Sequence, residues 1–202
     1  MPRLTSHFTP TEAAALTRVP LKAVNNAIDK KIICSPTGTP ARVLTLGSLL
    51  ALILERRLAD RFTPELRRTL YNALANANPR QAITLEGGLL TIDLTIPRQE
   101  LATALRALRA ARRLVTTDPG TMGGDPVFRG TRLQVHLIAT LAAQSPASEL
   151  LQSYPRLTPE MLRAAPLHAT AYPLRGRPRA SSWQNQPPTQ ITRREIPAIA
   201  AE

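Results

Sequence analysis

The side chains best suited to contact a ligand directly lie in a short window that holds all three lysines of the chain, Lys22, Lys30 and Lys31. Asn25 and Asn26 lie between them. An asparagine amide can bond the edge of an adenine, and a lysine ammonium can neutralise a DNA phosphate. The residue types and their spacing therefore predict contact with nucleic acid.

A pair of short helices is predicted to position these side chains. Residues 9–12 read TPTE, which supplies an N-cap, a proline at the first helical position and a capping-box glutamate. Val19 and Pro20 predict a turn, and apolar residues at helical spacing predict a second helix over residues 21–29. Lys22, Asn25, Asn26 and Asp29 fall on the outer face of this second helix, and Lys30 and Lys31 follow just beyond its end.

Residues 32–44 predict strand, turn and strand, so that residues 8–44 would form a winged helix-turn-helix. The segment resembles the DNA-binding domains of MerR-type regulators, which share the TPxEAA start found at residues 9–14. The candidate DNA-binding residues are Thr11, Arg18, Lys22, Asn25, Asn26, Lys30, Lys31 and Arg42. The alternative is a capped helical hairpin with a solvated polar face.

The segment over residues 118–165 predicts a second module. A glycine-rich entry is followed by polar–apolar alternation at residues 130–135, which predicts a short strand, and then by three short helices, the last two at 146–154 and 159–165. The entry lacks the lysine and Ser/Thr ending of a phosphate-binding loop, which argues against nucleotide binding. Arg129 and Arg132 are expected to pair with Asp118 or Asp125, with contact to a partner as the alternative.

Three blocks of this module, PVFRGTR at residues 126–132, YP at 154–155 and LTPE at 157–160, resemble the domain of unknown function 433 family. Members of that family look like VapB-type antitoxins of bacterial toxin–antitoxin pairs, partnered with PIN-type ribonucleases. The resemblance implies an antitoxin. The few cations on its last helix predict dimerisation and partner docking by the module rather than groove binding.

The chain of 202 residues has 26 Lys and Arg against 14 Asp and Glu, a formal net charge of +12 that favours nucleic acid as a partner. Residues 117–171 carry equal numbers of each sign, so the excess lies elsewhere. The lone Cys34 fits a reducing compartment, and the longest apolar run, residues 44–54, is too short to span a bilayer. We therefore expect a cytoplasmic protein without a membrane contact.

Catalytic and cofactor chemistry finds no support in the residue pattern. The three histidines, His7, His136 and His168, are scattered along the chain, and no Cys/His cluster has the spacing of a zinc site. We expect no enzyme activity and no cofactor.

The predicted fold is mainly α with small β elements. Between the two modules we expect a central apolar helix over residues 46–62, a helix over 63–77, a β-hairpin over 82–94 and a helix that begins at Pro97 and faces five arginines outward. The predicted domains are a winged helix-turn-helix with following helices (1–78), a hairpin and helix linking segment (79–116), the family 433-like module (117–171) and a tail (172–202).

The tail is rich in Pro, Arg, Ser, Gln and Thr, which predicts disorder in the free protein. Its candidate partner-binding residues are Arg175, Arg177, Arg179, Trp183, Ile191, Arg193, Arg194 and Ile196. The first three resemble an AT-hook core, and an arginine from this segment could enter the acidic metal pocket of a PIN ribonuclease. The alternative is a tail without a partner.

Together these observations predict an antitoxin that neutralises a PIN-type ribonuclease toxin and represses its own operon by binding operator DNA. A homodimer, or a higher toxin–antitoxin assembly, would place two DNA readers on two half-sites. The alternatives are a stand-alone MerR-like transcription regulator and an RNA-binding adaptor. The adaptor is less favoured because aromatic residues, which stack on bases, make up only 3% of the chain.

Overall fold

The computed structural model describes residues 7–30, 32–33, 42–58, 61, 63–76 and 82–174. These residues form mainly helices with two small antiparallel sheets. The helices are α1 (Pro10–Thr17), α2 (Leu21–Asp29), α3 (Leu46–Leu58), α4 (Pro64–Asn76), α5 (Thr95–Leu114), α6 (Val135–Ala142), α7 (Ala147–Ser153) and α8 (Pro159–Ala171). The strands are β1 (Ala82–Leu85), β2 (Leu90–Asp93), β3 (Val115–Thr116) and β4 (Val127–Phe128).

Local side-chain bonds fix the start of α1 as the sequence predicts. The Glu12 backbone N–H donates to Thr9 Oγ1 over 3.2 Å, and the Thr9 N–H donates to Glu12 Oε2 over 2.9 Å. Arg18 ends the helix in the left-handed conformation (φ 57°), and α2 begins three residues later. The predicted bounds of α2 are confirmed, so α1 and α2 are two helices joined by a tight turn.

The prediction of strand, turn and strand over residues 32–44 is wrong at the ends that the structure describes. The backbone N–H groups of Ile32 and Ile33 both donate to the Ala27 carbonyl, so the chain bends there instead of extending. Leu44 pairs in antiparallel fashion with Phe8, at N···O distances of 2.8 and 2.9 Å. The second predicted strand thus finds its partner before α1, where the apolar Phe8 shares the same core.

Helix α3 forms the centre of the N-terminal core, the cluster of buried apolar residues drawn from residues 8–108 and Ala171. Every residue from Ser48 to Leu54 is buried, which confirms the prediction of a central helix. The helix ends at Leu58, before the predicted limit at residue 62. Each buried leucine side chain contributes about 2 kcal/mol to folding, so α3 is a major source of stability.

The predicted hairpin is present, with Ile83 opposite Ile92 and Leu85 opposite Leu90. The turn between the strands covers Glu86–Gly88, and all three of its residues have positive φ, 52°, 65° and 105° in order. Helix α5 follows and begins at Thr95, two residues before the predicted start at Pro97.

The predicted strand over residues 130–135 is borne out only at its end. Strand β4 pairs with β3 in the register Val115 to Phe128. On its other side, Val127 forms an antiparallel bridge with Gln134, and the Phe128 N–H donates to the Leu133 carbonyl over 3.0 Å. Gly130 has φ 74°, and both the backbone N–H and the hydroxyl of Thr131 donate to the Phe128 carbonyl, which reverses the chain. The first half of the predicted strand is therefore a turn, its end pairs with β4, and α6 begins at Val135.

The last two helices also differ from the prediction. The N-cap position of α7 is Pro146, with no side-chain cap bond, so Ser145 does not cap it as expected. Thr158 does cap α8, accepting from the Met161 N–H over 3.2 Å. Helix α8 continues to Ala171, six residues beyond the predicted end, and contains Pro166. Pro166 has no backbone N–H and so cannot donate a helical hydrogen bond. Burial of Ala165, His168 and Ala171 along one side of the helix offsets that loss.

Two helices connect the N-terminal core with a second cluster, the C-terminal core. That core contains Ala111, Val115, Phe128, Val135, Ile138, Leu150, Leu157, Leu162, Ala164 and Ala165. Helix α5 supplies Leu108 to the first cluster and Ala111 to the second, and α8 supplies Ala171 and Ala165 in the same way. The cores therefore share helices. No helix among the described residues has the length and apolar character needed to cross a membrane.

Candidate functional site

Three of the eight candidate DNA-binding residues, Lys22, Asn25 and Asn26, belong to α2. Lys22, Asn26 and Asp29 are exposed and Asn25 is half-buried, while Val24 on the opposite side is fully buried. Lys30 follows directly after the helix and is exposed. Positions four residues apart lie on one side of a helix, so Lys22 and Asn26 form a continuous polar surface.

Arg42 lies against α2 rather than free in solvent. Its Nη2 atom lies 2.8 Å from the Asp29 carboxylate, and both side chains are more than half exposed. A pair this exposed contributes at most about 1 kcal/mol to stability. Its larger effect is to offset the negative charge of Asp29 on the outer face of α2. The sequence did not predict this pair, because the two residues are 13 positions apart.

The remaining residues of this predicted set are placed less uniformly. Arg18 is exposed in the turn between α1 and α2. Thr11 is half-buried, and its hydroxyl lies 3.0 Å from that of Thr9, so it takes part in the cap of α1. Lys31 lies outside the described residues. So do all eight candidate partner-binding residues of the tail, Arg175, Arg177, Arg179, Trp183, Ile191, Arg193, Arg194 and Ile196.

Tyr172 joins the start of the predicted tail to α1, a connection that sequence reasoning missed. Its hydroxyl donates to Glu12 Oε1 over 2.6 Å, and its carbonyl oxygen lies 2.9 Å from His136 Nε2. The Arg112 guanidinium lies 5.6 Å from the centre of the Tyr172 ring. Residues 172–174 are therefore part of the fold, contrary to the prediction of disorder from residue 172. Burial and the bond to Glu12 raise the pKa of the Tyr172 phenol.

His168 is buried beside this connection, one helical turn before Tyr172. Its ring centre lies 4.8 Å from that of Tyr172, and its Nδ1 atom is buried without a hydrogen-bond partner among the described residues. Burial, followed by the nearby His136 and Arg112, lowers the pKa of His168 from 6.5 to about 4. The imidazole is therefore neutral at physiological pH and contributes packing rather than charge.

This lowered pKa predicts a loss of stability in mild acid. An unfolded histidine takes up a proton below pH 6.5, whereas folded His168 resists protonation down to about pH 4. The unfolded state then binds more protons, so the free energy of unfolding falls as pH drops through this window, by up to about 3 kcal/mol. Urea unfolding at several pH values, for the wild type and for His168→Phe, which keeps an aromatic ring, would measure this fall in the free energy of unfolding. An equal decline with pH in both proteins would contradict the role of His168.

Glu55 links α3 to α4 in a second polar cluster. It accepts hydrogen bonds from the Tyr71 hydroxyl and, over 2.9 Å, from Arg67 Nη1. Burial and the Glu55 carboxylate raise the pKa of Tyr71 well above its usual value. A small cavity of about 220 Å³ lies beside these groups, lined also by Lys30 and Arg68. Since their polar atoms mostly bond one another, the cluster holds two helices together.

An open cleft of about 830 Å³ lies in the C-terminal part of the chain. It is lined by Thr116, Asp118, Thr121, Val127, Gly130, Thr131, Arg132, Leu133, Ser153, Tyr154, Pro155 and Arg156. These residues come from β3, from β4 and the loops around it, and from the end of α7 and the turn after it. The PVFRGTR and YP blocks therefore meet in space, which their separation in the sequence does not specify.

The two arginines of the RGTR turn have different surroundings. Arg129 donates from Nε to the Arg113 carbonyl over 3.2 Å and from Nη2 to the Val115 carbonyl over 3.5 Å. Arg132 is exposed and lines the cleft. The expected pairing with aspartate is wrong, because Asp118 caps its own turn and Asp125 accepts from Gln134. Within the described segments, no three His, Cys, Asp or Glu side chains gather as a metal site would require.

The C-terminal part of the chain matches a known protein family. Residues 115–169 match the family described as Protein of unknown function (DUF433). The chain is also 35% identical over 195 residues to the uncharacterized protein y4eO of Sinorhizobium fredii (strain NBRC 101917 / NGR234), covering 89% of this chain and 87% of y4eO. The chain therefore belongs to the same family as y4eO and contains a DUF433 segment. Every residue that lines the cleft falls within that segment.

A search of solved structures gives a much weaker likeness. The X-ray crystal structure of Rv2018 from Mycobacterium tuberculosis matches 78% of this chain and 95% of its own, at 17% identity and a TM-score of 0.28. A score this low does not indicate a shared fold.

Proposed function

We propose that this protein is a cytoplasmic, DNA-binding antitoxin that represses its own operon and neutralises a PIN-type ribonuclease. The observation that supports DNA binding is the α1–α2 pair, whose second helix carries Lys22 and Asn26 on an exposed face. A helix-turn-helix reads DNA with its second helix in the major groove. A net charge of +12 would favour the approach of DNA to this surface.

In this mechanism α2 enters the major groove in a MerR-like manner. Asn26 bonds the edge of a base, and Lys22 and Lys30 neutralise phosphates on either side. Arg42 offsets Asp29, so the carboxylate on the same face does not repel the backbone. A homodimer presents two such helices to two half-sites, and each phosphate contact makes the affinity depend on salt.

The antitoxin part of the proposal comes from the resemblance of the C-terminal module to VapB-type antitoxins. The neutral module, together with the tail arginines, would hold the toxin by binding alone, without catalysis. The family match over residues 115–169 supports the module but leaves its partner open.

The DNA-binding part is tested by titrating a labelled duplex from the region upstream of its own gene. We expect Lys22→Ala with Asn26→Ala to weaken binding about a hundredfold or more and to reduce the salt dependence, because one base contact and one phosphate contact are lost. Arg109→Ala is the matched control, since it removes an exposed charge from α5 instead. Unchanged affinity in the α2 variant, or an equal loss in the control, would contradict the proposal.

The alternative is a stand-alone regulator without a toxin. One observation favours this alternative. The side chains that give the proposal its structural support, Lys22 and Asn26, both lie on α2 and would contact DNA, not a toxin. Native mass spectrometry of the tagged chain purified from its own cells distinguishes the two. An antitoxin would carry a small acidic protein that is lost on removal of residues 175–202, a deletion that keeps Tyr172 and its bond to Glu12. A stand-alone regulator would appear as a bare dimer.

A further inference from the structure

The cleft in the DUF433 segment has the size and composition of a binding site that no known role explains. Its volume of about 830 Å³ lies within the usual range for ligand pockets. Its lining combines apolar residues, Val127, Leu133 and Pro155, with the hydroxyl-bearing Thr116 and Ser153. Such a mixed surface suits an extended peptide segment, which offers apolar side chains and backbone polar groups together.

One wall of the cleft is the rigid RGTR turn. Thr131 Oγ1 donates to the Phe128 carbonyl over 2.8 Å and accepts from the Leu133 N–H over 3.1 Å, so the turn is bonded internally. Arg129 is held by the carbonyl oxygens of Arg113 and Val115. The turn therefore presents Arg132 at the cleft from a fixed backbone, which reduces the entropy lost on binding.

The cleft contains two cations that are available to a ligand. Arg132 and Arg156 are exposed, come from different loops and make no hydrogen bond or ion pair within the described part of the chain. The carboxylate of Asp118 accepts from the Gly120 N–H over 3.1 Å and from Thr121 Oγ1 over 2.9 Å. These neutral donors fix the Asp118 side chain but leave its negative charge, so the cleft lining carries two guanidinium groups against one carboxylate. The excess positive charge favours carboxylates as ligands.

We propose that this cleft binds an extended acidic segment of a partner protein. The carboxylates of that segment would contact Arg132 and Arg156, and its apolar side chains would contact the apolar lining residues of the cleft. The inference rests on the proposed partner-binding function of the C-terminal module. A nucleic acid is disfavoured because residues 117–171 carry as many acidic as basic side chains, whereas a phosphate backbone needs a run of cations. The protein's own tail is disfavoured because five arginines face only two glutamates there.

The test is selection of random heptapeptides displayed on phage against the full-length chain. We expect the wild type to enrich peptides with acidic residues next to apolar ones. Arg132→Glu with Arg156→Glu should abolish that enrichment and favour basic peptides instead. The matched control is Arg109→Glu with Arg163→Glu, which changes the net charge equally at exposed positions outside the cleft and should select as the wild type does.

A labelled acidic peptide from this selection, titrated by fluorescence anisotropy, then measures affinity. We expect at least about a tenfold loss with the milder pair Arg132→Gln and Arg156→Gln, whose folding is checked by thermal unfolding. The proposal is overturned if the wild type enriches no acidic peptides, if the control behaves as the cleft variant does, or if single-stranded DNA competes for the same arginines. Operator binding by α2 is measured separately, so failure of the cleft and failure of the DNA-binding proposal are distinguishable.

Discussion

Gly47→Ala is expected to lower the free energy of unfolding by about 2 to 4 kcal/mol, even though alanine favours helices. Gly47 lies in the first turn of α3, where α4 packs closest to it. A Cβ atom added there would lie 2.3 Å from the Leu74 carbonyl oxygen and 3.1 Å from the Leu74 carbonyl carbon. Both atoms belong to the backbone of α4, so a rotamer change cannot relieve the overlap.

The sign of the stability change distinguishes two causes: helix propensity alone would make Gly47→Ala stabilising, whereas the close packing against α4 makes it destabilising. In an open helix, glycine to alanine raises stability by about 1 kcal/mol, because the unfolded chain loses freedom. At Gly47 the helices must move apart, which loosens the contacts of Leu49 and Leu74 in the N-terminal core.

Urea unfolding monitored by circular dichroism measures the change. Gly120→Ala is the matched control, since its added Cβ would meet only the Asp118 side chain at 3.6 Å or more, an ordinary contact distance. Equal or higher stability of Gly47→Ala relative to the wild type would show that α3 and α4 do not approach as closely as described.

Phe128→Ala should reduce stability by about 3 to 5 kcal/mol, the usual cost of removing a fully buried phenylalanine. Phe128 is 0% exposed and belongs to the C-terminal core. Its backbone is fixed by bonds to Leu133 and Thr131, so the surroundings cannot collapse easily into the space that the ring leaves. The loss would be a large fraction of the total stability of an ordinary domain.

We also expect a single unfolding transition for the whole chain. Because α5 and α8 supply residues to both cores, we expect Phe128→Ala and Gly47→Ala each to shift one shared transition rather than to split it. Leu137→Ala serves as the control and should change stability little, because Leu137 on α6 is 46% exposed. Separate transitions for the two halves would contradict the shared helices.

A stable C-terminal half also matters for the proposed partner site. The Phe128 carbonyl accepts both bonds from Thr131 that form the RGTR turn. Loss of the ring would therefore disturb the wall that presents Arg132 to the cleft. For this reason the peptide-binding test uses only substitutions of exposed arginines.

The elements that were predicted well depend on neighbours in the sequence. The start of α1 follows from Thr9 and Glu12, and the start of α8 follows from Thr158, since each cap joins residues three apart. The hairpin turn follows from Gly87 and its positive φ. The burial of residues 48–54 of α3 follows from their composition, which is apolar nearly all round, whereas Arg56 and Arg57 at its end are exposed.

The candidate sites were predicted only in part. The sequence identifies Lys22 and Asn26 on one face of α2, because helical periodicity alone places them there. It gives no sign that Arg42 pairs with Asp29, or that Arg129 binds backbone carbonyl oxygens while Arg132 faces a cleft. The Arg129 contacts depend on where the end of α5 and β3 lie, and the Arg42 pair depends on how the chain returns to α2, which no local pattern records.

The sequence by itself determined the starts of α1 and α8, the hairpin, the central helix and the polar face of α2, because bonds between near neighbours and the period of apolar residues fix them. The tertiary structure alone decided that Leu44 pairs with Phe8, that α8 continues past Pro166 and that Tyr172 bonds Glu12, a partner 160 residues away. Such contacts form only when burial in a shared core outweighs local preference, since the energy that selects them comes from residues distant in the chain.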